Sequence, residues 1–148
     1  MQDASRRRPA LSGFVLDASV ALASCVDDER TPEAWPLLDR RRTAGAHVPA
    51  PWALEIGNIL LSAERRRRST QARAVEFLGI LGELDIQVDP EMPGRAFRDV
   101  LPLARAQRLT TCDATYLELA MRLGLPLATK DTALARAAKA LHIATLNA

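Results

Sequence analysis

Thr111-Cys112-Asp113-Ala114-Thr115-Tyr116-Leu117-Glu118-Leu119-Ala120-Met121-Arg122-Leu123-Gly124 runs directly into Leu125-Pro126-Leu127-Ala128-Thr129-Lys130-Asp131. The first part reads as a helix over 111–123. It stops at Gly124, the residue type that most easily takes the left-handed backbone closing a helix. The second part is a short apolar run, 125–129, closed by an acid, and reads as a buried strand. Helix formers resume over 132–141, and His142-Ile143-Ala144-Thr145 offers a last strand. Upstream, a helical pattern covers 94–109, with Pro102 inside it as a kink or a restart. Asp85-Ile86-Gln87-Val88-Asp89 is strand-like. Pro51 opens a long helix to about Arg68, and Ser69 or Thr70 caps another reaching Leu84. His47-Val48-Pro49 is a brief strand, Thr31-Pro32-Glu33 starts a helix ending at Gly45, and Gly13-Phe14-Val15-Leu16-Asp17 is a first strand before helix formers over 18–26. Short strands alternating with helices pair in parallel through crossovers. The expected fold is α/β: a three-layer α/β/α sandwich around a central, mostly parallel, short-stranded sheet.

The chain has 148 residues, one domain's worth. Residues 13–148 read as that domain and 1–12 as a disordered basic lead-in. Apolar residues are 48% and charged residues 26%, enough to bury a core. Aromatic residues are 4%, so aliphatics must build that core, and a base-stacking sheet of the RRM kind is not expected. No run approaches the roughly 20 apolar residues of a membrane span, and the N-terminus lacks the apolar stretch of a signal peptide. A cytoplasmic location without a membrane partner is expected. Cys25 and Cys112 cannot form a disulfide framework, and with only His47 and His142 a zinc site or a histidine triad is not expected. The chemistry falls to carboxylates, hydroxyls and a metal brought from outside.

Four carboxylates stand out by position. Asp17 and Asp131 close strands, and in open α/β sheets ligands bind at the carboxyl ends of strands, near the switch in strand order. Asp113 opens a helix next to the same edge. Each of the three also reads as a helix N-cap, a preferred place for Asp. Glu55 lies early in its helix, at the border of an apolar arc of Trp52, Ile56, Ile59 and Leu60, about 40° from Ile59. A carboxylate there is partly desolvated and needs a partner; its bland reading is an acid favoured by the helix dipole. Asn58 follows one turn on. Four acids in one pocket would raise one another's pKa values unless a cation neutralised them, and hard divalent ions take oxygen ligands.

The strand Phe14-Val15-Leu16-Asp17-Ala18-Ser19-Val20 resembles the opening of a PIN domain. The helix Leu54-Glu55-Ile56-Gly57-Asn58-Ile59-Leu60 is similar to the second acidic motif of that family, and the stretch from Leu109 to Asp131 to its most characteristic one. Together they resemble the VapC-type toxin ribonucleases of type II toxin–antitoxin modules, over about 14–145. Cys112 stands where Tyr is commoner. The resemblance implies a PIN-like sandwich and RNA cleavage by a water activated on Mg²⁺ or Mn²⁺. It implies Asp17 and Asp113 as the most direct metal ligands, Glu55 and Asp131 as completing the catalytic acids, and Ser19, Asn58 and Thr129 as hydrogen-bonding support. It also implies a homodimer, and a small VapB-like antitoxin that blocks the acidic pocket, often with an Arg.

A net charge of +2 conceals 18 Arg against two Lys, Lys130 and Lys139. Arg65-Arg66-Arg67-Arg68 and Arg40-Arg41-Arg42 end helices, where the dipole favours cations. They also suit phosphates of an RNA backbone, Arg65, Arg66 and Arg68 foremost, with Arg6–Arg8 a further candidate. Leu54 and Leu61 face away from Trp52 and Ile59 and read as dimer or antitoxin contacts. Two other readings stay open: an idle PIN-like module that binds protein or RNA, and a PIN nuclease of RNA processing. A haloacid-dehalogenase-type phosphatase would require Asp-x-Asp where the chain has Asp17-Ala18-Ser19, and the acid pattern of a receiver domain is absent.

Overall fold

A computed structural model describes residues 13–23 and 45–146. The expected lead-in 1–12, the helix begun at Thr31, Cys25 and the runs Arg6–Arg8 and Arg40–Arg42 lie outside the described residues.

The first strand, β1 (Phe14–Leu16), is buried along its whole length. It leads into a short helix, α1 (Ala18–Leu22). Strand β2 (Ala46–Val48) is followed by α2 (Trp52–Arg65), α3 (Gln71–Gly82) and β3 (Ile86–Val88). A continuous helical segment comes next: α4 (Met92–Arg95), a π-helical turn (Ala96–Val100) and α5 (Leu101–Gln107). Helix α6 (Thr111–Leu123), β4 (Leu127–Ala128), α7 (Thr132–Ala140) and β5 (Thr145–Leu146) complete the chain.

The strands lie in the order β3-β2-β1-β4-β5, and all four pairings are parallel. The chain builds outward from β1 in one direction, to β2 and β3, then returns to add β4 and β5 on the other side. Successive parallel connections of one hand put the helices of the two halves on opposite faces. The expected α/β/α layering follows, with β1 and β4 straddling the switch in strand order. Phe14, Val15, Leu16, Leu127 and Ala128 sit in a single core with Leu117, Leu119 and Leu134 from the flanking helices. Central parallel strands are covered on both faces, which is why β1 reads as an unbroken apolar run rather than an alternating one.

Gly13 is required by geometry. Its φ is +123°, and a Cβ there would lie 2.0 Å from the Gly45 carbonyl oxygen, which accepts the Phe14 N–H at 3.2 Å. Gly124 closes α6 at φ +67°, as the sequence pattern predicts.

Two local expectations differ, at Ile59 and at the last strand, and one is met at Pro102. Ile59 does not belong to the buried arc of α2: Trp52, Ile56, Leu60 and Ala63 are buried, and Ile59 is exposed. Pro102 is a restart, one of the two expected readings: it falls in the first turn of α5, after a π turn in which the Leu101 N–H reaches back to Ala96 O. Proline has no N–H to give the ladder, and the wider turn carries the chain past it. The last strand is Thr145–Leu146 rather than 142–145, because His142, at φ +57°, is part of the turn that ends α7.

One polar cluster fastens this helical segment to α6. The Arg122 guanidinium is bidentate to Asp89, at 2.7 and 3.1 Å, and to Glu118, at 2.8 and 3.1 Å. It also reaches Glu91 at 2.7 Å, and Arg95 stands 3.7 Å from Glu118 and 3.4 Å from Asp99. Among the described residues no helix is long and apolar enough to cross a membrane.

Candidate active site

Register decides which side chains share the edge at the switch point. Val15 pairs with Leu127 and Leu16 with Ala128, and the Asp17 N–H donates to Ala128 O at 3.0 Å. The residues just past β1 and β4 are therefore neighbours. Thr129 Oγ1 donates to Asp17 Oδ2 at 2.6 Å, and Ser19 Oγ donates to the same oxygen at 2.7 Å. Each hydroxyl also accepts a backbone proton: Ser19 Oγ from Lys130 N–H and Thr129 Oγ1 from Asp131 N–H, both at 3.0 Å. A hydroxyl fixed by an incoming N–H has its own proton aimed outward. Both protons are spent on Asp17.

The capping alternatives separate cleanly. Asp131 caps α7, its Oδ1 accepting the Leu134 N–H at 3.0 Å. Asp17 stands at the N-cap position of α1 but makes no side-chain cap bond. Asp113 is not a cap at all, since Thr110 fills that role by accepting the Asp113 N–H at 3.1 Å. Capping thus accounts for Asp131 alone.

Glu55 is carried in by the first turn of α2, where its N–H bonds Pro51 O. The carboxylate is half-buried. Its Oε2 accepts the Tyr116 hydroxyl at 3.0 Å, and its Oε1 is buried with no partner among the described residues. Tyr116 was not among the residues singled out by sequence. Its place one turn after Asp113, on the inner side of α6, is the signal that could have found it. The phenol is fully buried, and burial together with the charges of Asp17 and Glu55 pushes its pKa far above the ordinary value. It therefore keeps its proton and can only donate to Glu55.

The electrostatics join all four acids. Burial raises the Asp17 carboxyl pKa, and the charge of Asp131 adds to it against the hydroxyls of Thr129 and Ser19. Asp113 is raised by burial and by the charges of Asp131 and Asp17. Glu55 is raised by burial and by Asp17 and Asp113, despite the Tyr116 bond. Burial first, then Glu55 and Asp113, also lift the Cys112 thiol. Like charges held together in this way create a field that a cation relieves.

The remaining candidates stand apart. Asn58 is exposed on α2 and makes no hydrogen bond to the acids among the described residues. Arg65, Arg66 and Arg68 are exposed at the far end of α2. At 1.5 Å per residue, Arg65 lies about 15 Å along the helix from Glu55.

The donor set is all oxygen, which suits a hard divalent cation rather than zinc. Among the described residues no three Asp, Glu, His or Cys side chains close around one point as a ready-made cage. Mg²⁺ keeps several waters and takes only one or two carboxylates directly. The unpartnered Glu55 Oε1 is a buried acceptor awaiting a donor.

The model of the PIN domain family matches residues 14–140. A crystal structure of PAE2754 from Pyrobaculum aerophilum is similar, with 25% sequence identity and a TM-score of 0.65, covering 84% of this chain and 85% of that one. No curated protein matches the chain. The acids at the switch point fall within the matched span, and the chain belongs to the PIN domain family.

Proposed function

We propose that this PIN domain is a divalent-metal-dependent ribonuclease of the VapC toxin type. The observation that supports it is geometric: Asp17, held by Thr129 and Ser19, and Asp131 stand past β1 and β4 at the switch-point edge, Tyr116 holds Glu55 with its Oε1 buried and unpartnered, and the charges of Asp17 and Asp113 both bear on Glu55. Asp17 and Asp113 would hold Mg²⁺ or Mn²⁺. Such an ion, when bound, activates a water and offsets charge on a phosphodiester under in-line attack. The chain's own residues do the rest. Ser19 and Thr129 fix the Asp17 carboxylate, Tyr116 fixes Glu55, and Glu55 offers Oε1 as an acceptor for a water proton.

The same field suits an inhibitor with a cationic tip. A small antitoxin placing an Arg among the four acids would replace the metal's charge and close the site. The apolar side chains Leu54 and Leu61 on α2, with Val75 and Leu78 on α3, are exposed. They are the surface offered to a second copy of the chain or to that antitoxin.

The test is cleavage of RNA by the purified protein in Mn²⁺ or Mg²⁺, run beside EDTA and Asp17→Asn controls. Cleavage is expected only with the metal and the native Asp17. Cleavage that survives either control overturns the metal-site assignment. No cleavage in any condition leaves the protein a binding module.

A further inference from the structure

Next to the acids lies an apolar cavity of about 250 Å³, walled by Pro51, Met92, Phe97 and Leu101 and closed by Thr111 and Cys112. It shares its wall with the candidate active site. Pro51 O accepts the Glu55 N–H at 2.9 Å, and Thr111 and Cys112 immediately precede Asp113 on α6. No charged side chain lines it, and the hydroxyl of Thr115 on its wall is spent on Cys112 O. Phe97 stands at this cavity with 85% of its surface exposed. The other described aromatics, Phe14, Trp52, Phe77 and Tyr116, are all buried. Phe97 is held out by the π turn Ala96–Val100, an irregularity frequent at functional sites.

We infer that this cavity and the Phe97 ring form a nucleobase subsite, taking the base of a nucleotide whose phosphate would lie at a cation held by the acids. The inference rests on the ribonuclease reading and adds to it where substrate selection occurs. Its chemistry follows from covalent adjacency. Every RNA phosphate brings a flat, uncharged base with it, whose π faces suit aromatic and apolar side chains while its polar edges can stay toward solvent, and the cavity offers an uncharged apolar lining at the edge of a site for that phosphate. A free anion or an acidic peptide gains nothing from such a lining. With few polar groups turned into it, the subsite reads stacking and shape rather than a hydrogen-bond pattern, so it tolerates more than one base.

The test compares the native protein with Phe97→Ala and Phe97→Trp. Each is titrated in Ca²⁺, a hard ion for the same oxygen ligands, by fluorescence anisotropy against a labelled ten-nucleotide oligoadenylate and an abasic oligomer of the same length, with a gel to show that both strands stay intact. Phe97 is exposed, so neither substitution disturbs the core. Stacking on an aromatic ring is worth roughly 5- to 150-fold in dissociation constant per base. The native protein is expected to prefer oligoadenylate to the abasic strand by a factor in that range. Phe97→Ala should lose the preference and Phe97→Trp keep it. Equal preference in the native and Ala proteins overturns the subsite, even if RNA is cleaved normally. Loss in Phe97→Ala of a co-purifying protein, with RNA binding unchanged, also overturns it and assigns the face to a protein partner. Failure of the native protein to cleave RNA in metal is a separate result, which sinks the ribonuclease reading rather than the subsite alone.

Discussion

Replacing Arg122 by Met should destabilise the protein by about 3–5 kcal/mol at neutral pH, the cost of leaving a buried charge pair with one partner. Arg122 makes five hydrogen bonds to Asp89, Glu91 and Glu118, one for each N–H that a guanidinium carries. Only two of the three acids count toward the magnitude. The side chains of Asp89 and Glu118 are each 9% exposed, whereas Glu91, at 57%, is in water and contributes little. Removal of Arg122 strands both buried carboxylates, with Arg95 left 3.7 Å from Glu118. For a chain of this length the loss corresponds to a fall in Tm of about 10 °C or more.

The sign of the pH dependence follows from Asp89. Burial alone would raise its carboxyl, but the hydrogen bonds and charge of Arg122 outweigh that and hold it below the usual carboxylate range. A lowered folded-state pKa gives stability that is present above the unfolded value of about 3.9 and is lost as pH falls through the folded value. Without Arg122 only the Glu91 backbone N–H and the charge of Arg95 still oppose burial, so the folded-state pKa rises and the stability that Asp89 contributes above about pH 3.9 shrinks. The difference between native and Arg122→Met should therefore be largest near pH 7.5 and shrink toward pH 4. Urea denaturation followed by circular dichroism at both pH values measures it. Adding Glu118→Met to Arg122→Met should recover part of the loss. A difference below about 1 kcal/mol, or one that is the same at both pH values, would refute the reasoning.

Three further outcomes can be checked. Thr129→Val removes a hydroxyl donor to the Asp17 carboxylate, a bond of the charged kind worth about 1.5–3 kcal/mol, and Thr129→Ser should restore most of it; chemical denaturation of both variants decides. Gly13→Ala places a Cβ 2.0 Å from Gly45 O at a φ of +123°, so the variant should lose several kcal/mol or fail to accumulate folded, whereas Gly57→Ala, where a Cβ meets nothing within 4 Å, should be neutral or stabilising. Mg²⁺ or Mn²⁺ should raise Tm, with about 2.7 kcal/mol gained at one hundred times the dissociation constant, and Asp17→Asn combined with Asp113→Asn should abolish the shift in a thermal melt.

How much of the site could be read from sequence depended on whether a contact was local. Thr110 lies three residues from the N–H it caps and Gly124 ends its own helix, and such signals travel with a few neighbouring residues. Glu55 was legible as a carboxylate at the border of an apolar face, because helical period alone places it there. Ile59 was misplaced by the same argument, since the period gives an arc but only the packed sheet determines how that arc is turned.

By itself the sequence determined the α/β alternation, the short strands and the residue types of the acids, because burial period, caps and turn chemistry are written in adjacent residues. Tertiary structure alone decided that Thr129 donates to Asp17 across 112 residues of chain and that Tyr116 serves Glu55. It also gathered Arg122 with its three acids and set Phe97 beside the acidic edge. Those facts depend on strand order and register. A parallel sheet can add its next strand on either side, and the choice that put β4 against β1 was made by packing of the whole core, not by any local pattern.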